Sequence, residues 1–203
     1  MDSRKGSKVN SKTSGRAAGA LPSDLTGDSL REREALRRRY KPDEVRILFI
    51  GEAPPRSGRF FYRGNSGLYR AVRDTFLTAF STLTADKFLE AFQASGCYLV
   101  DLCGQPVDHL LPKVRATICS DGEGRLEHAV RCLRPKVVVT LVRSIRGSVE
   151  QVLAKAGWSG IRLEPPYPGR WKHHRVEFQR QLVPLLMETL SFPSRQSQTE
   201  RRN

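Results

Sequence analysis

Residues 45–67 read VRILFIGEAPPRSGRFFYRGNSG, and the first seven of them decide the fold. Val45, Ile47, Leu48, Phe49 and Ile50 make a short apolar run without alternation, the pattern of a strand covered on both faces. The run stops at Gly51-Glu52-Ala53-Pro54-Pro55. Two successive prolines remove two amide donors and fix φ, so neither strand nor helix continues through them. A rigid turn therefore follows a buried strand, and it delivers Phe60, Phe61 and Tyr62 to one place. Asn65 and Ser66 then open a helical pattern, where N-capping is their ordinary role.

Working outward, CYLVDLC (97–103) and KVVVTLV (136–142) repeat the apolar, β-branched character of the first strand, and IRLEPP (161–166) is a weaker fourth. Helical patterns fill the intervals at 67–80, 85–96, 124–133 and 148–157, and a last one at 173–190 contains Pro184. Strand and helix in alternation predict a three-layer α/β/α sandwich around a central, mainly parallel four-stranded sheet. No GxGxxG follows the first strand, which disfavours a dinucleotide-binding fold.

The chain has 203 residues, with 35 Lys and Arg against 21 Asp and Glu, a net charge of +14. That balance favours a polyanionic partner, because neutralising phosphates releases counterions. Residues 1–27 are rich in Ser, Gly and Lys and read as a disordered basic arm. A domain spans 28–193 with its core in 45–191, and 194–203 read as a disordered tail. DSLREREALRRRY (28–40) predicts a surface helix whose Arg37, Arg38 and Arg39 either touch a DNA backbone or form a solvated face. The start, MDSRKGSKVNSKTSGR, lacks the apolar run of a secretory signal, and no stretch of about 18 apolar residues exists to span a bilayer. A cytoplasmic monomer without membrane contact is expected. The four cysteines, Cys97, Cys103, Cys119 and Cys132, include no CxxC pair. They read as reduced thiols, with neither metal nor cofactor expected.

In open parallel sheets, ligands sit at the carboxyl ends of the strands. Those ends carry Glu52, Ala53 and Pro54; then Asp101 and Gln105; then Arg143 and Ser144; and finally Tyr167-Pro168-Gly169-Arg170-Trp171-Lys172-His173-His174. GEAPP after a buried strand, the continuation FFYRGNSGLYRAV and the later RPKVVVTL, in this order, resemble the uracil-DNA glycosylase superfamily over about residues 45–190. The likeness is to the branch whose first motif is GEAPG and whose members hold an iron–sulfur cluster.

The resemblance implies a monofunctional DNA glycosylase, which cuts the N-glycosidic bond of a nucleotide flipped out of the duplex. Bond breaking makes a cationic sugar and an anionic leaving base. Glu52 would orient water and offset the positive charge. Phe61 would stack on the base beside Ala53 and Pro54, with Phe60 or Tyr62 taking that part if the register shifts by one. Asn65 and Ser66 would bond phosphate or the base edge. Arg143, Ser144, Arg170, Trp171, Lys172 and Arg175 would contact DNA or wedge into the emptied stack.

Three departures qualify the likeness. No cysteine precedes Cys97, so the cluster's ligand set is missing. Where uracil-specific members carry an asparagine, this chain has Asp101. An ionised carboxylate only accepts hydrogen bonds, which favours the exocyclic amine of a cytosine-type base, although a protonated Asp101 would serve uracil. Selectivity against ordinary cytosine would then come from a substituent on C5, as in glucosylated hydroxymethylcytosine of phage DNA, with Arg63, Gln105 and Asp108 as polar lining. Finally, Tyr167 stands where the family has a histidine that donates to the base, and His173 and His174 lie shortly beyond. At most one of those two faces the site. Uracil repair, and a catalytically silent DNA-binding protein of the same fold, are the rival expectations.

Overall fold

A computed structural model of the protein describes residues 24–169 and 171–190. Among these residues four parallel strands form a single sheet: β1 (Ile47–Gly51), β2 (Cys97–Asp101), β3 (Val137–Thr140) and β4 (Ile161–Leu163), in the order β2-β1-β3-β4. The α/β expectation therefore holds, with every pairing parallel. β1 is central because both its faces are apolar: Ile47, Leu48, Phe49 and Ile50 have no exposed surface. It pairs Ile47 with Cys97 and Val137, and Gly51 with Asp101.

The helices are α1 (Asp24–Arg39), α2 (Gly67–Ala79), α3 (Phe88–Ala94), α4 (Pro112–Asp121), α5 (Glu123–Leu133), α6 (Arg146–Lys155) and α7 (Lys172–Thr189). Right-handed crossovers place a helix on one face or the other according to the direction in which the chain steps. The β1-to-β2 step runs opposite to the two later steps, so α2 lies across the sheet from α5 and α6. α2 packs on α7 and α5 packs on α6. Under α2 and α3, Phe61, Phe76, Phe88 and Phe92 pack ring against ring at centroid distances of 5.3–6.3 Å.

Several boundaries differ from the sequence expectation. α1 begins at Asp24, inside the stretch read as a disordered arm; residues 1–23 and 194–203 lie outside the described residues. α7 runs through Pro184 as one helix. α4 was not expected, because PKVRATICSD has no apolar stripe and buries only Cys119. α1 is unusual in the same sense, since it buries Arg33 and Arg37 where an amphipathic helix would bury apolar side chains. Arg37 is thus neither a DNA contact nor part of a solvated face, while Arg38 and Arg39 are exposed. Among the described residues no helix is long and apolar enough to cross a membrane.

Candidate active site

The carboxyl ends of β1, β2 and β3 converge on a cavity of about 410 Å³. Its position follows from the motif that opened the sequence. Past Gly51 the ladder persists for two more residues, Leu102 N–H donating to Gly51 O (2.9 Å) and Cys103 N–H to Glu52 O (2.7 Å). Ala53, Pro54 and Pro55 then carry the chain beneath the cavity, and the turn at 61–63 returns Phe60 and Phe61 as its aromatic wall. Asn65 Oδ1 accepts from Phe60 N–H at 2.8 Å and closes that turn.

Glu52 is buried, 8 % exposed, and lines the cavity. Its Oε1 accepts from Arg115 Nε (2.6 Å) and from Ser144 Oγ (3.3 Å), with the Cys119 thiol at 4.0 Å. Oε2 accepts from Arg115 Nη2, its one hydrogen bond among the described residues. The pairing with Glu52 raises the pKa of Arg115. Arg115 comes from α4, and α4 reaches the site because Gly122 lets the α4–α5 junction approach the end of β2: a Cβ there would lie 2.1 Å from Leu102 O.

Asp101 lines the same cavity from the end of β2, its side chain 8 % exposed. Oδ2 accepts from Arg37 Nη2 at 2.8 Å, and Arg125 Nη2 donates to the backbone carbonyls of Asp101 (3.1 Å) and Leu102 (2.9 Å). Burial pushes the Asp101 carboxyl above the usual carboxylate range, and the charges of Arg37 and Arg125 oppose that rise. Burial alone would lower the Arg37 guanidinium, but Asp101 and Glu34 outweigh it and leave Arg37 raised. The two side chains thus form a direct, largely buried ion pair at the edge of the cavity. Tyr167 covers the mouth with 43 % of its surface exposed, and desolvation of its phenol followed by the charge on Asp101 raises its pKa.

Of the residues singled out in the sequence, the cavity collects Glu52, Ala53, Pro54, Phe61, Asp101 and Tyr167, together with Phe60, Ser66 and Asp108. Others lie elsewhere. Tyr62 points into the core, where its hydroxyl donates to Leu99 O (3.1 Å) and accepts from Leu99 N–H (2.7 Å), so it is a structural residue and not a base contact. Asn65 is occupied by its turn, and the Ser66 hydroxyl caps α2 by accepting from Tyr69 N–H at 3.0 Å. Arg63 is tied to Glu32 and to Gly58 O, away from the cavity, and Gln105 is exposed outside it.

His173 is likewise not among the cavity-lining residues: it sits on the exposed first turn of α7, stacked on Trp171 at 6.2 Å and edge-on to His174 at 4.4 Å. Lys172, Arg175 and the 56 % exposed Trp171 share that end of α7, and Arg143 is exposed after β3. Ser144 turns its hydroxyl toward Glu52 instead of outward. Arg170 lies outside the described residues.

Sequence reasoning missed Arg115 and Arg125, and it gave Arg37 a surface role in place of its pairing with Asp101. A buried carboxylate demands a cation, but with 35 Lys and Arg in the chain nothing marked which of them meets Glu52 or Asp101. Cys97, Cys103 and Cys119 are buried free thiols; burial pushes Cys97 up to about 12, and Cys103 and Cys119 sit 3.0 Å apart. Among the described residues no group of three or more His, Cys, Asp or Glu side chains is placed to hold a metal ion. Comparison with protein-family models found no match to this sequence, and comparison with curated proteins found none either.

Proposed function

We propose that the protein is a monofunctional DNA glycosylase that excises a 5-substituted cytosine from DNA. The observation that carries this reading is the placement of two carboxylates of opposite task, Glu52 and Asp101, at the ends of adjacent strands in a cavity walled by Phe60 and Phe61. Aromatic faces stack on an extruded base whatever its identity. Asp101, as an ionised acceptor, takes the exocyclic amine of a cytosine-type base and repels a carbonyl in its place.

Glu52 supplies the chemistry at the sugar. Arg115, Ser144 and Cys119 crowd Oε1, whereas Oε2 has Arg115 as its one partner among the described residues and is the oxygen that would bind a water. That water attacks C1′ as the bond to the base nitrogen breaks; the electron pair leaves with the base, and the water's proton passes to Glu52 and on to solvent or the departed base. The carboxylate offsets the positive charge that grows on the sugar. A raised pKa keeps the Tyr167 phenol protonated at neutral pH, so it donates to the departing base as negative charge develops.

A cavity of about 410 Å³ falls in the range of roughly 300–1,000 Å³ that holds ligands larger than a bare pyrimidine. Ser57, Arg59 and Asp108 give it a polar side suited to the hydroxyls of a sugar on C5. Exposed Lys172, Arg175 and Arg143, and the net charge of +14, suit a DNA backbone.

Uracil excision is the second reading, favoured by the upward shift of Asp101, since a protonated carboxyl donates to O4. Incubating the protein with duplexes that hold uracil, cytosine, hydroxymethylcytosine or its glucosylated form, then treating with alkali, separates the readings. Strand scission at the glucosylated base is expected. Scission at uracil alone would favour the second reading, and none anywhere would leave a DNA-binding protein without catalysis.

A further inference from the structure

We infer that Arg37 is the positioning residue that holds Asp101 as an ionised, acceptor-only group at the cavity, and through it sets which edge of a base the site accepts. The selectivity half of this inference rests on the base-excision reading; the charge-holding half does not.

The Asp101 carboxylate is fixed from two sides. Oδ2 is bound by Arg37 Nη2, and Oδ1 lies against Gly51, where a Cβ would stand only 2.5 Å from it. The charged and titratable groups around it are Arg37, Arg33 and Glu34 from α1, Tyr62 from the 61–63 turn, Arg125 from α5, and Tyr167 from the loop before α7. Arg125 reaches the backbone carbonyl of Asp101 and not its carboxylate, so Arg37 is the cation hydrogen-bonded to that carboxylate among the described residues.

Arg37 is itself arranged around this contact. Nη1 is paired with Glu34, the guanidinium lies over the ring of Phe60 at 5.5 Å from its centre, and Nε is buried without a hydrogen-bond partner among the described residues. Nη2 is aimed at Asp101, and the ring that supports the guanidinium is a wall of the cavity.

A buried carboxyl without its cation takes up a proton. Protonated, it donates a hydrogen bond and suits a carbonyl edge; ionised, it suits an amino edge. Arg37 thus stands between the two specificities, from a helix that precedes the strand-end motifs in the chain.

The test uses the full chain with Arg37→Gln and Arg37→Lys. Carbon-13 NMR titration of the Asp101 carboxyl should move upward by about one pH unit or more in Arg37→Gln and return toward the wild-type midpoint in Arg37→Lys. The sign follows from the raised folded-state value: the carboxylate is lost as pH falls through it. In Arg37→Gln, cleavage at 5-substituted cytosine should therefore fall about tenfold for each pH unit below the new midpoint, while cleavage at uracil rises in the same window. Wild type and Arg37→Lys should keep one preference throughout. If Arg37→Gln does not fold, the double variant Arg37→Gln/Asp101→Asn, which leaves no unpaired charge, should prefer uracil at every pH. An unmoved titration, or a moved titration with an unchanged base preference, would overturn the inference, as would a double variant that still prefers cytosine. Absence of cleavage by the wild type on every duplex would sink the base-excision reading instead, and the titration would still decide whether Arg37 holds the charge.

Discussion

Gly51→Ala puts a methyl group where the Asp101 carboxylate now stands. The added Cβ would lie 2.5 Å from Oδ1, about 0.9 Å inside the 3.4 Å at which ordinary contact begins. A long side chain could swing aside, but aspartate is short and its other oxygen is held by Arg37 at 2.8 Å. Either the backbone of β1 and β2 parts, or the ion pair breaks. Overpacking of this kind costs roughly 1–3 kcal/mol, and partial loss of a buried pair adds to it, so about 3 kcal/mol is the expected total. For a chain of this size each kcal/mol lowers Tm by about 2–4 °C, which gives a fall of about 6–12 °C. Thermal unfolding followed by circular dichroism measures it, with Gly124→Ala as control: that glycine lies inside α5 with nothing within 4 Å of its Cβ position, and the change should be neutral or stabilising by up to about 1 kcal/mol. Gly51→Ala should also abolish discrimination between bases. A melting point within about 1 °C of wild type, with activity intact, would refute the claim that Gly51 and Arg37 pin the carboxylate between them.

Glu52→Gln keeps the shape of the side chain but removes its charge; turnover should fall by roughly 10²- to 10⁴-fold in single-turnover assays while affinity for the same duplex, read by fluorescence anisotropy, holds. Full activity in that variant would remove Glu52 from the chemistry. Tyr62→Phe strips a hydroxyl that both donates to and accepts from Leu99, leaving two buried backbone groups unpaired. The expected cost is about 2 kcal/mol, a fall in Tm of about 4–8 °C, with base preference unchanged. A changed preference would place Tyr62 in the site after all.

The sheet was legible because β1, β2 and β3 are apolar on both faces, and buried parallel strands announce themselves by that monotony. Their ends were legible too, since Glu52 and Asp101 interrupt apolar runs where nothing in a core would ask for a charge. Periodicity failed at α4, which is held by an arginine pair and a close glycine contact and leaves no stripe in the sequence, whereas the helix expected over 28–40 formed but buries Arg33 and Arg37, which its charge pattern did not mark. Arg115 meets Glu52 across 63 positions and Arg37 meets Asp101 across 64, so no local pattern links them. Among adjacent aromatics the choice was set by one short turn: the 61–63 turn sends Phe61 to the cavity and Tyr62 to Leu99. Tyr167 reached the site on a loop end that the sequence did mark, whereas His173 was carried past it by the start of α7.

The central claim is that the carboxylate at the end of β2 chooses the base by its amino edge. Released bases from a duplex carrying both glucosylated hydroxymethylcytosine and uracil, quantified by mass spectrometry for wild type and Asp101→Asn, test it most directly. Wild type should release the modified cytosine and Asp101→Asn should release uracil, an inversion of preference. The same product ratio from both proteins would contradict the account.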